Sequence, residues 1–200
     1  MIEFLLLAAI ALFIGWRLYV TLGQDDGPPE GRDRKPLRRV PETTAQAEKT
    51  ASEVTSFPPT FTGPAAAGLE AIYEADNGFE PREFLKGARS AYEIIVGAYA
   101  RGDRKALKPM LDTDVYEAWD AAIAEREKNN TPGMTLLRIK SAEITEADLD
   151  DQKMARVAVR FDSELGDGEN TAKAQEVWTF MRKVTSGDPN WLLDDVDTAD

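Results

Sequence analysis

The chain has 200 residues, with 24 Lys and Arg against 36 Asp and Glu, a formal net charge of −12. It contains neither cysteine nor histidine, which excludes disulfides, thiolate zinc sites and the usual general base at neutral pH. The acidic excess sits almost wholly after residue 69, which argues against non-specific nucleic-acid binding, since phosphate contacts need clustered Lys and Arg.

The first predicted element is a membrane anchor over residues 1–22. Phe4 to Trp16 form an unbroken apolar run of 13 residues, and Leu18 to Leu22 continue it after Arg17. At about 1.5 Å per residue such a helix approaches the ~30 Å hydrocarbon thickness. Phe4, Leu7, Ile10 and Phe13 would face lipid, Trp16 and Tyr19 would lie at the interface, and Arg17 would snorkel to the headgroups. A cleaved signal peptide would need a basic start and a small-residue cleavage site. Glu3 is the only charged side chain before the run and no A-x-A site follows it, so the run reads as an uncleaved single span. Basic residues lie only on its C-terminal side, which predicts an N-terminus outside and a C-terminal domain on the cytoplasmic side of the inner membrane.

Residues 23–68 read as a flexible linker, with seven prolines and five glycines in 46 positions. Such a stretch buries too little apolar surface to offset its ordering entropy, and its reach is on the order of 40 Å. Arg32, Arg34, Lys35, Arg38 and Arg39 concentrate positive charge within it. They either only set topology or also contact anionic lipid headgroups. Phe57-Pro58-Pro59-Thr60-Phe61 is either a short extended partner motif or a linker piece that packs back on the domain.

Residues 69–200 form the expected domain. Leu69 to Ala75 is a short amphipathic piece. Pro81 marks a first helical turn, and Phe84, Ala88, Ala91, Tyr92, Ile95, Ala98 and Tyr99 make a 3.6-residue stripe. Gly102 ends that helix and Asp103 caps the next. A further helix runs from Asp114 to Lys128, with Val115, Trp119, Ala122 and Ile123 inward. The period then switches to two. Met134 to Leu149 is extended, with Leu137, Ile139 and Ile144 as anchors. Met154 to Phe161 alternates, Gly166-Asp167-Gly168 is a hairpin turn, and Thr171 to Val184 sets Val177, Thr179 and Met181 opposite Trp178 and Phe180. Asn190 to Val196 is the last strand. Helices first and hairpin-linked strands after predict an α+β domain, its helices on one face of a twisted antiparallel four-stranded sheet.

The stretches Phe84-Leu85-Lys86-Gly87-Ala88, Ala91-Tyr92-Glu93-Ile94-Ile95 and Gly102-Asp103 resemble the Tim44-like domain. So do Asp114-Val115-Tyr116, Ala122-Ile123 and Glu125-Arg126. Trp178-Thr179-Phe180-x-Arg182, followed by Asp188-Pro189-Asn190-Trp191, completes the set. The resemblance spans about residues 69–197. It implies a cone-shaped fold related to nuclear-transport-factor-two-like and cystatin-like domains, with an apolar pocket linked to membrane or partner binding. The mitochondrial namesake tethers a chaperone import motor to the inner-membrane translocase, through a longer N-terminal region. Here an apolar run and a short linker stand in that place, so the resemblance does not by itself carry chaperone recruitment over.

The expected function is a membrane-tethered adaptor that binds a protein partner: a chaperone, a translocase component or a translocating polypeptide. The alternative is a lipid or small apolar-ligand binder. Tyr92, Trp119, Trp178 and Phe180 are the candidate residues for such a pocket or partner surface, against a plain core role for each. Neither cofactor nor metal is expected, and no nucleotide fingerprint or carboxylate pair marks an enzyme. Asp148, Asp150 and Asp151 read as a solvated strand-end turn. Arg182 and Asp188 either pair across the final turn or, the favoured reading, Asp188 serves the turn itself.

Overall fold

A computed structural model describes residues 60–199. The anchor at 1–22, the basic residues Arg32 to Arg39 and the motif residues Phe57 to Pro59 lie outside the described residues. Among the described residues, no helix is long and apolar enough to cross a membrane.

Helix α1 runs Ala66–Ala75 and α2 runs Pro81–Arg101. Proline opens α2 at a position where its missing N–H costs nothing. Gly102 closes it in the left-handed region, at φ 68°. The Asp103 side chain then accepts from the Ala106 amide at 3.1 Å and starts the single turn α3, Arg104–Leu107. Helix α4 spans Thr113–Lys128 and buries only Val115 and Ile123 fully. The stripe on α2 is deeper: Phe84, Ala88, Tyr92, Ile95, Val96 and Ala98 are buried. Each large member contributes roughly 1.5–3 kcal/mol by leaving water.

Four strands follow: β1 Thr135–Leu149, β2 Met154–Gly166, β3 Thr171–Lys183 and β4 Leu192–Thr198. They pair antiparallel in chain order, β1-β2-β3-β4. Both hairpins that follow β1 and β2 are built on aspartate. Asp150 Oδ1 accepts from the Gln152 and Met154 amides, and Asp167 Oδ1 accepts from the Glu169 and Asn170 amides. The carboxyl of Asp150 lies below its usual range, chiefly through the Met154 amide. Gly168 carries the positive φ of its turn, 99°. In the last connection Asp188 accepts from the Asn190 amide at 2.9 Å, as the favoured reading of that turn requires.

Two expectations need correction. The sheet is open, not the cone of the nuclear-transport-factor-two-like or cystatin-like kind. Among the strands, β4, of only seven residues, pairs with β3 alone and β1 pairs with β2 alone, so no described strand draws the two edges together. The α+β part of the expectation holds, with helices against one four-stranded antiparallel sheet.

The second correction concerns Leu137, which is no anchor: it is 54% exposed. Strand β1 carries an extra residue against β2 at three places, where Leu137, Lys140 and Thr145 are each skipped in the pairing. Each bulge resets the side-chain alternation. The inward row is therefore Leu136, Ile139, Ala142, Ile144 and Ala147, which meet the inward residues of β2 from Leu165 to Val157.

Helix α1 lies directly on β1. A Cβ built on Gly68 would fall 1.8 Å from the Ala147 carbonyl oxygen, so only glycine permits this approach. Phe61, the end of the Phe-Pro-Pro-Thr-Phe motif, packs edge-on against Tyr73 of α1 with ring centroids 5.9 Å apart. That end of the motif packs back on the domain.

Candidate functional site

Between the helices and the sheet lies a column of aromatic side chains. Helix α2 supplies Tyr92 on its buried stripe. Strand β2 supplies Phe161, and β3 supplies Trp178 and Phe180 from alternate positions. The Tyr92 ring stacks on Phe161 at 4.4 Å and leans on Trp178 at 4.5 Å. Trp119 of α4 meets Trp178 edge-on at 6.0 Å, and Phe180 follows at 6.3 Å. The four candidate residues Tyr92, Trp119, Trp178 and Phe180 are thus brought together around Trp178. Three of them are almost wholly shielded from solvent, while Trp119 is half-buried.

The half-buried end of the column has its own chemistry. Trp119 packs edge-on against Tyr99 at 4.8 Å. The Arg126 guanidinium lies 4.8 Å over the Tyr99 ring and donates to the Tyr99 and Ala100 carbonyls at 2.6 and 3.1 Å. Arg126 so caps the last carbonyls of α2 while stacking on its last aromatic ring. Burial raises the Tyr99 phenol above its ordinary value.

Inside the column is a polar knot that the sequence reading passed over. The Tyr92 hydroxyl donates to Glu176 Oε2 at 2.9 Å and lies 2.8 Å from Ser163 Oγ. Since its one proton goes to Glu176, it accepts from the Ser163 hydroxyl. The Trp178 indole N–H also donates to Glu176 Oε2, at 3.3 Å. Ser163 and Glu176 are buried, and no described ion pair involves Glu176. Burial therefore raises its carboxyl above the ordinary value, against the opposing pull of the two donors. Burial likewise raises the Tyr92 phenol, and the neighbouring Glu176 raises it further. A signal for the knot was present. Glu176 is in phase with Trp178 and Phe180, and Ser163 is in phase with Val157, Val159 and Phe161, so a period of two places both on the apolar side.

The other end of the column is tied by Arg182. It pairs with Asp76, just past α1, and not with Asp188. Its guanidinium also lies 5.0 Å over the Trp191 ring, and Trp191 packs on Phe84 at 4.8 Å and on Phe79 at 5.9 Å. These residues all fall inside one stretch, residues 65–198, that matches the model of the Tim44-like domain.

The chain belongs to the Tim44-like domain family.

The match covers more than half of the chain and takes in all eight described helices and strands. No curated protein matches the sequence. The matched stretch is a Tim44-like protein-binding domain. Among its described residues no group of three or more Asp or Glu side chains is arranged to hold a metal ion.

Proposed function

We propose that this protein is a membrane-held adaptor whose Tim44-like domain binds a protein partner. The observation that carries the reading is the position of the family match. Residues 65–198 follow a proline- and glycine-rich stretch, which in turn follows the apolar run from Phe4 to Leu22. An anchored domain meets its partner at a raised effective concentration without any new contact. The partner's chemistry is that of a chaperone, a translocase component or a translocating polypeptide. Arg32, Arg34, Lys35, Arg38 and Arg39 hold anionic headgroups beside the anchor, and the domain lies on the cytoplasmic side of the inner membrane. Trp119 is the member of the aromatic column that a partner can reach, and Tyr92, Trp178 and Phe180 hold it in place.

Crosslinking of the full-length protein in intact membranes, followed by mass spectrometry, tests this. Enrichment of a chaperone or translocase subunits, reduced by Trp119→Ala and abolished by deletion of residues 2–22, supports the adaptor. Lipid alone, with no protein above background, moves the reading to a lipid-binding domain. Protease added outside intact cells should leave the domain uncut; cleavage there reverses the topology.

A further inference from the structure

The two edges of the sheet are not equivalent. The β4 edge is short, seven residues, and the segment before α4 bridges it at Leu193: the Asp112 amide donates to the Leu193 carbonyl at 2.8 Å, and the Leu193 amide donates to the Met110 carbonyl at 2.9 Å. No backbone bond from any described residue reaches the outer edge of β1, although that strand is 15 residues long. An unpaired edge is a row of N–H and C=O groups whose natural complement is another extended backbone.

We propose that the β1 edge pairs with the β1 edge of a second copy of this chain, antiparallel about a two-fold axis near Ala142. The pairing goes beyond the adaptor reading and does not depend on it. Its first support is the order of charges on the strand. Arg138 and Lys140 precede the midpoint, and Glu143, Glu146 and Asp148 follow it. An antiparallel pair about a central axis sets the basic half of each strand against the acidic half of the other. Arg138 and Lys140 already lie on Glu164 of the same sheet, at 2.6 and 2.5 Å, while Glu143 and Asp148 stand opposite Arg160 and Arg156 of β2 and Glu146 opposite Ala158, none of the three acids in a salt bridge among the described residues.

The second support is apolar. Ile94 and Leu137 are the large apolar side chains left exposed among the described residues, and Leu137 is on this edge. No residue of β1 is fully buried, whereas β2 beside it buries residues all along its length. A neighbouring strand would flank the half-buried row of Leu136, Ile139, Ala142 and Ile144 on its open side.

The geometry also limits the assembly. Helix α1 lies against Ala147, so pairing runs over about residues 137–146. The three bulges twist β1 and oppose long flat stacking. With β4 only seven residues long and bridged at Leu193, each copy offers one long edge, and a two-fold pairing of that edge stops at two copies instead of extending into a filament.

The chain has no cysteine, so single cysteines report cleanly. In the full-length protein, Ala142→Cys, which faces its own copy across the axis, should give an oxidised dimer, and Glu117→Cys on the exposed side of α4 should not. Lys140→Glu or Glu143→Lys, added to Ala142→Cys, should lower the dimer yield about fivefold to tenfold, because each substitution disturbs two symmetric contacts. The double variant K140E/E143K should restore it. Circular dichroism of each variant confirms that the fold is kept. A dimer yield at Ala142→Cys no higher than at Glu117→Cys overturns the proposal. So does a yield that both charge reversals leave unchanged.

Discussion

The two faces of the sheet are built on opposite terms. The face toward the helices carries Val157, Val159, Phe161, Trp178 and Phe180, packed ring on ring with one knot of hydrogen bonds in the middle. The face away from them carries a lattice of ions and amides. Arg156 donates to Asp150 and Asp194, Gln175 and Ser141 both donate to Asp162, and Arg138 and Lys140 meet Glu164. Water competes for every member of that lattice, so it contributes to register and solubility more than to stability. The inner face has no such competition, and each group on it must be satisfied from within.

The sharpest way to break this contrast is to empty the inner face. Trp178→Ala should destabilise the domain by about 3–5 kcal/mol in urea unfolding, because Tyr92, Phe161, Trp119 and Phe180 all lose their common neighbour. A loss below about 1 kcal/mol would mean that the face is not a close-packed core. Tyr92→Phe should cost about 1–3 kcal/mol with no change in shape, since it leaves Glu176 without one donor and Ser163 without its acceptor.

Glu176→Gln probes the knot through pH. The folded carboxyl sits above its unfolded value, so the native state binds the proton more tightly. Its stabilising share is full below the unfolded value, near 4.3, and is lost as pH rises through the folded value. Melting curves from pH 4 upward should therefore show the wild type losing ground to Glu176→Gln as pH rises. Parallel curves would mean that Glu176 is not shielded from water. On the outer face, Arg156→Ala should cost less than about 1 kcal/mol, because the guanidinium and both its partners are partly exposed. A larger loss would erase the distinction between the faces.

Much of this was legible in the sequence. The α2 stripe, its proline start, its glycine stop and the Asp103 cap depend on neighbours a few residues apart, and local chemistry settles them. The alternation in β2 and β3 was legible because their pairing runs without a skipped residue. Strand β1 was misread at Leu137 because bulges depend on the partner strand, and no local residue type announces them. The polar knot was missed for a different reason: Tyr92, Ser163 and Glu176 come from three elements, separated by 71 and 84 residues along the chain. The open sheet was hidden behind a family resemblance that fixes the order of elements but not whether their edges meet. The partnership of Arg182 with Asp76 spans 106 residues and likewise lay beyond local reading.

Phe61 resting on Tyr73 also has a mechanical meaning. A pull on the chain from its N-terminal side enters the domain at that ring and travels into α1. Helix α1 is held at its far end by Asp76 on Arg182, and along its length by Gly68 against Ala147. Load is thus shared among β1, β3 and the core that Leu69 and Ile72 of α1 enter.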